Sequence, residues 1–213
     1  MTMTTSAPKL STRDKSYGHD YDKSLPDKFG HWLSNYQINR ALPSFAGKAI
    51  GDFGCGYHAE FVRPHLGEVG HATLVDVTLA EDLKAMAQVK AIEGTLPDAL
   101  IGVPSGSLDF ILCNNILEHL SEPKAALQHF RRIIKPGGTC FFNVPSWRGK
   151  FFLELIAFKL RLTSAVEIDE HKDYFEPRDL WRLLVSAGFL PSEISCRKHK
   201  FGLNTYGVCR VKG

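Results

Sequence analysis

The chain has no CxxC pair, no internal repeat, no apolar run long enough to cross a bilayer and little net charge, and each absence removes a class of protein. Its five cysteines, at positions 55, 113, 140, 196 and 209, stand singly, which excludes a disulfide framework and a zinc site and points to the reduced thiols of a cytoplasmic protein. A formal charge of +3 over 213 residues, with no basic stripe interleaved with aromatics, argues against a nucleic-acid partner. The most apolar stretch, residues 151–162, is interrupted by Glu154, Lys159 and Arg161 and falls short of the roughly 20 residues that a spanning helix needs. Met1 to Ser16 is rich in Thr, Ser and Lys without an apolar centre, so it reads as a frayed tail and not as a signal peptide. Residues 17–213 are then expected to form a single domain, with a helical insertion at about 147–175.

What is present is a strand, a bend and an acid. Ala49-Ile50-Gly51-Asp52-Phe53 reads as a buried strand and Gly54-Cys55-Gly56-Tyr57-His58 as a tight turn, with Ala59-Glu60-Phe61-Val62 expected to open a helix. Glycines at a strand end let a backbone approach a nucleotide-like ligand, and a helix start behind them offers unpaired N–H groups. Asp52, two residues before Gly54, would repel a pyrophosphate but can accept hydrogen bonds from an ammonium group, so the ligand expected is an amino-acid-bearing nucleoside. Asp76, twenty residues beyond Gly56 and at the end of the run Ala72-Thr73-Leu74-Val75, stands where a carboxylate holds both hydroxyls of a ribose.

These two marks are followed, in order, by Ser107-Leu108-Asp109-Phe110-Ile111-Leu112-Cys113-Asn114-Asn115-Ile116-Leu117-Glu118-His119-Leu120 and by Ile133-Ile134-Lys135-Pro136-Gly137-Gly138-Thr139-Cys140-Phe141-Phe142. Over residues 48–146 the chain resembles the class I S-adenosylmethionine (SAM) dependent methyltransferases, type 11-like. The resemblance implies an α/β fold: a doubly wound, mostly parallel seven-stranded sheet with an antiparallel C-terminal hairpin. It implies SAM as cofactor, held by Asp52, Gly54, Gly56, Tyr57, Asp76 and Asn114 and, around the adenine, by Gly94, Thr95 and Leu96. Thr95 replaces the aspartate that the family usually places there, and its hydroxyl can accept the same adenine hydrogen bond. His58 stands where many relatives carry a third glycine, at a position where a positive φ would be costly.

Methyl transfer from a sulfonium needs alignment and exclusion of water more than covalent help. A general base matters for a hydroxyl or protonated amine, and the resemblance offers His119 and His171 as the candidate catalytic residues. Relatives that methylate ubiquinone precursors bind a divalent metal at the positions of Asn115, Glu118 and His119; an asparagine in the first of these is a weaker ligand, and no metal is expected. The acceptor expected is a small molecule, methylated on oxygen; the apolar spacing of Phe151, Leu155, Phe158 and Leu162 reads first as a helix packed on its own domain or a dimer partner, and second as a cover for the acceptor or a peripheral membrane contact for a glycan or lipid-linked precursor. The protein would be a monomer or homodimer.

Around this frame, residues 26–41 read as a helix over the sheet edge with Phe29, Trp32, Leu33, Tyr36 and Ile38 at helical spacing, and Tyr17, His19 and Tyr21 upstream read as an exposed polar and aromatic linker, with a lid over the ligand as the alternative. Residues 79–87 read as a short helix, Val89 to Glu93 as a third strand, Asn143 to Trp147 as a loop, and Lys198-His199-Lys200 as a solvated turn between the closing strands. Two other readings compete: a SAM-binding protein that no longer catalyses, and an NAD-dependent dehydrogenase, since Gly54-x-Gly56-x-x-Ala59 with Asp76 imitates that fingerprint.

Overall fold

Apolar residues on both faces of the strands decide the architecture. The computed structural model of the chain describes Ser16 and residues 25–42, 44–154 and 173–213. Among these, strands β1 (Ala49–Phe53), β2 (His71–Asp76), β3 (Val89–Glu93), β4 (Leu108–Asn114), β5 (Ile134–Pro145), β6 (Ile194–His199) and β7 (Asn204–Arg210) form one sheet in the order β3-β2-β1-β4-β5-β7-β6. The first five pair in parallel, while β7 runs antiparallel to both β5 and β6. The doubly wound sheet with a closing hairpin is therefore as expected.

Alternation along each central strand divides the core in two. Phe53, Val75, Ile111, Cys113 and Phe142 pack on one face against helices α3 (Pro123–Ile133) and α5 (Pro177–Ser186), through Leu127, Phe130, Ile133, Leu180 and Leu184. Ile50, Leu74, Phe110, Leu112 and Phe141 pack on the other face with Ile38 of helix α1 (Leu25–Ala41) and with Ala59, Val62 and Leu66. Helix α2 (Glu81–Lys84) is a single turn, and helix α4 is described over Trp147–Glu154.

Several local expectations are corrected. No α-helix opens at Ala59 to Val62: the glycine bend continues as turns into a single 3₁₀ turn at Arg63–His65. The reason is conformational. Ala59 is left-handed, at φ 46, and Pro64 enters the following turn, so an α-helical ladder cannot propagate. The positive φ falls on Ala59 and not on His58, so the histidine carries no such strain. α2 is limited to Glu81–Lys84 instead of spanning 79–87. β5 runs on to Pro145, and Trp147 already begins α4, so the expected loop at 143–147 is mostly strand and helix.

α1 presents Phe29, Trp32 and Tyr36 to solvent, and it is Ser34 and Ile38, four residues apart, that face the sheet. The helix packs over β5, in the interior of the sheet, and not at an edge.

Candidate functional site

The parallel strands end together, and a cleft opens at their carboxyl ends, where the strand order reverses between β1 and β4. It is lined by Asp52, Gly54 and Gly56 of the bend, by His58 and Phe61 after it, by Leu112 and Asn114 of β4, and by His31 and Asn35 of α1. Counted with the space open to solvent, its empty volume is about 440 Å³.

The bend is made by glycines that nothing else could replace. Gly54 has φ +77, and a Cβ there would lie 2.1 Å from Ile116 Cγ1; Gly56 has φ +74. The Gly54 N–H donates to Val75 O at 2.7 Å, which ties the bend to the end of β2. Asp52 follows from its place on β1: it is 3 % exposed, and burial, reinforced by the nearby charge of Asp76, pushes its carboxyl up to about 8. A carboxyl so placed is poised to gain a cationic partner.

Asp76, at the tip of β2, is bound to the bend. Its Oδ2 accepts the Gly56 N–H at 2.7 Å, and its Oδ1 accepts the Val77 N–H at 2.8 Å and the Ser16 hydroxyl. Ser16 Oγ in turn accepts the Thr78 N–H at 2.7 Å. A hydroxyl therefore already rests on this carboxylate. Gly94 donates its N–H to Asp76 O at 2.9 Å, which brings the tip of β3, with Thr95 and Leu96, beside Asp76. Thr95 is exposed and Leu96 is packed against the core. Glu93 is turned elsewhere, accepting the Leu79 N–H at 2.8 Å and pairing with Lys84 at 2.7 Å. Tyr57 accepts the Ala80 N–H on its backbone carbonyl at 3.0 Å and stacks edge-on with His58.

The structure thus gathers Asp52, Gly54, Gly56 and Asn114 in one cleft, with Tyr57, Asp76, Gly94, Thr95 and Leu96 on its β2 and β3 side. His119 closes a 3₁₀ turn, Leu117–His119, beyond β4 and does not line the cleft. His171, Tyr17, His19, Tyr21, Leu155, Phe158 and Leu162 lie outside the described residues.

One expectation holds for the exposed Lys198 and fails for the two residues after it. His199 and Lys200 are not a solvated turn: His199 is 9 % exposed, and its Nε2 lies 2.6 Å from Asn143 Oδ1. Burial, with the charge of Lys200 as a second cause, lowers the His199 ring to about 4. Burial likewise lowers the Lys200 ammonium to about 8, against the pull of the buried Glu118. The reason is the length of β6, which continues through His199 and delivers its last side chain inward; Lys200 and Phe201 then turn in left-handed conformations. The pattern of the chain missed His31 and Asn35, which line the cleft and whose helical spacing was masked by the aromatic residues between them, and Ser16, which meets Asp76 and carries no local signal at all.

Asn115, left-handed at φ 55, turns its Oδ1 toward Asn143 Nδ2 at 3.0 Å and Asn204 Nδ2 at 3.4 Å. All five cysteines are free, and those at 113, 140 and 209 are buried. No helix among the described residues is long and apolar enough to cross a membrane.

Residues 30–191 match the family model described as a methyltransferase domain. The chain is 31% identical over 121 residues to the ubiquinone biosynthesis O-methyltransferase of Paracidovorax citrulli, an alignment covering 53% of this chain and 50% of that protein. It thus spans only half the length of that relative. The protein of the same name from Neisseria meningitidis serogroup A is 23% identical over 201 residues, covering 86% of this chain and 84% of that one. A SAM dependent methyltransferase from Archaeoglobus fulgidus superposes with a TM-score of 0.60 at 16% identity, over 88% of this chain and 100% of that one, and shares the fold.

Proposed function

The chain belongs to the class I SAM-dependent methyltransferases, and on that premise we propose that it transfers a methyl group from SAM to an oxygen of a small-molecule acceptor. The observation that carries this reading is the buried Asp52 carboxyl beside the glycine bend. An isolated buried carboxyl is costly, and an ammonium of an amino-acid-bearing nucleoside would relieve that cost by supplying the missing charge. The residues present fit such a ligand. Gly54 and Gly56, both at positive φ, shape the bend that lines the cleft. Asp76 already accepts a hydroxyl, that of Ser16, and would accept those of a ribose in the same manner. Gly94, Thr95 and Leu96 stand beside it for the adenine, and Tyr57 borders the bend.

When bound, SAM supplies an electrophilic methyl on a sulfonium. This chain's part is to orient the acceptor and exclude water. His119 and His171 are retained as candidate bases for an acceptor hydroxyl, His119 because it follows the Asn114 end of β4. The oxygen acceptor is supported by the relatives, which are ubiquinone biosynthesis O-methyltransferases.

A glycan or lipid-linked acceptor is supported by the exposed Trp147 and Phe151 of α4 and Phe201 of the neighbouring turn. Those two elements are joined by the Ser146 hydroxyl donating to Gly202 O at 2.6 Å. An apolar rim of this kind suits an acceptor with an apolar tail.

The test is calorimetric titration with SAM and its demethylated product, followed by methyl transfer to catechol and to a prenylated phenol. Saturable binding of SAM with methylation of either probe is the expected outcome. Binding without turnover on any acceptor would favour the inactive SAM-binding reading, and binding of NADH in place of SAM would favour the dehydrogenase.

A further inference from the structure

Behind Asn114, at the carboxyl ends of β4, β5 and the hairpin, one imidazole and four amides form a continuous chain. His199 Nε2 is 2.6 Å from Asn143 Oδ1; Asn143 Nδ2 is 2.8 Å from Asn114 Oδ1 and 3.0 Å from Asn115 Oδ1; Asn204 Nδ2 is 3.4 Å from Asn115 Oδ1. Asn143 is fully buried, and its backbone carbonyl accepts the Asn115 N–H at 2.8 Å.

The chemistry of these groups orders them. A carbonyl oxygen only accepts, so the His199 nitrogen facing Asn143 Oδ1 must be the protonated one. The two hydrogens on Asn143 Nδ2 are then both spent, one on each neighbouring asparagine oxygen. With its oxygen so held, the Asn114 side chain has its NH₂ left for the cleft that it lines. Moving the imidazole proton to Nδ1 would make Nε2 an acceptor, and Asn143 would have to turn over to donate to it. Asn114, Asn115 and Asn204 would then have to turn as well, and Asn114 would show a carbonyl oxygen to the cleft instead of a donor. One ring proton thus decides which chemistry the cleft meets at β4. The low pKa of His199 agrees with a single ring proton at neutral pH.

What a donor at this point would meet follows from the register. Asp52 pairs with Leu112 on β4, two residues before Asn114, so an acid and an amide donor stand side by side at the cleft. A zwitterionic α-amino acid group requires such a pair: an acceptor for its ammonium and a donor for its carboxylate.

We propose that His199 is a positioning residue which, through Asn143, holds the Asn114 amide with its NH₂ toward the cleft, where it donates to the carboxylate of the bound cofactor's amino-acid group. This rests on the cofactor reading above. The experiment is calorimetry on the full chain with SAM and with decarboxylated SAM, comparing the parent, His199→Phe and His199→Gln. Phenylalanine keeps the ring that meets Tyr206 edge-on and removes the donor; glutamine restores an N–H that can reach Asn143 Oδ1.

His199→Phe is expected to weaken SAM by about tenfold, as loss of one hydrogen bond to a charged group implies, while leaving decarboxylated SAM within about twofold. His199→Gln should return SAM to within about threefold of the parent. A merely structural role would weaken both ligands alike, and that result, or SAM affinity unchanged in His199→Phe, would overturn the relay while leaving the cofactor reading intact. Failure of the parent to bind either ligand would overturn both. Thermal melts of each variant identify loss of folding; should His199→Phe not fold, Asn143→Asp with the same two ligands decides, equal weakening of both again overturning the relay.

Discussion

The two halves of the cleft are built by different means. On the side of β1, β2 and β3 the ligand-facing groups are backbone N–H groups, glycines and two carboxyls, Asp52 and Asp76, all within a stretch of 45 residues and tied by the short bonds Gly54 N–H to Val75 O and Gly56 N–H to Asp76. On the side of β4, β5 and the hairpin the cleft meets one side-chain amide, that of Asn114, backed by Asn143, Asn204 and His199, the four drawn from four strands as much as 90 residues apart. The difference teaches that the first half is a fixed cradle, specified by backbone conformation. The second is an adjustable polar lining, specified by which amide faces which neighbour.

The comparison breaks most visibly at the cradle. Gly54→Val would force a branched side chain into a left-handed residue and into Ile116 and is expected to cost about 3 kcal/mol or more, with loss of SAM binding; urea unfolding and calorimetry check it. If it folds and binds as the parent does, the cradle is not fixed by its backbone.

Asp52 offers the next largest effect. Its carboxyl binds a proton more tightly in the folded chain, at about 8, than at its ordinary 3.8, so its contribution to stability is complete below about pH 4 and is lost as pH rises through about 8. A cationic ligand favours the ionised form, and SAM affinity is therefore expected to rise over the same interval. Asp52→Asn should flatten both dependences: relative to the parent it gains thermal stability between pH 5 and pH 9 while losing SAM binding. Melting and titration at several pH values measure this, and a parent whose affinity is flat across the interval would remove the acid from the ammonium site.

Asp76→Ala should weaken SAM about tenfold or more, since it removes charge-assisted hydrogen bonds worth roughly 1.5–3 kcal/mol each. Unchanged affinity would show that the Ser16 hydroxyl on Asp76 is a purely structural contact. The smallest effect belongs to the acceptor rim. Phe151→Ser combined with Phe201→Ser should leave stability within about 0.5 kcal/mol, because both side chains are exposed, and should slow turnover of a prenylated phenol several-fold relative to catechol. SAM affinity should not move.

The cradle half was legible in the chain because its determinants are local. Gly54, Gly56 and Asp76 sit at strand ends whose apolar runs announce them, and those runs, continuous because both faces of a parallel sheet are covered, yield the strands themselves. Where reading failed, two local preferences were outweighed by a third. Ala59 to Val62 has the composition of a helix, yet left-handed Ala59 and Pro64 prevent it. Phe29, Trp32 and Tyr36 look like a core stripe, yet Ser34 and Ile38 are the residues turned inward.

By itself the sequence determined the order of strands and helices, the glycine bend and the acids that flank it, since backbone conformation and burial of alternate side chains act over a few residues. Only the tertiary structure decided that His199 ends inside the molecule, that Ser16 rests on Asp76, and that four asparagines align their amides. Hydrogen bonds between side chains distant in the chain depend on strand register and helix placement, and no local pattern of residue types encodes the orientation of an amide.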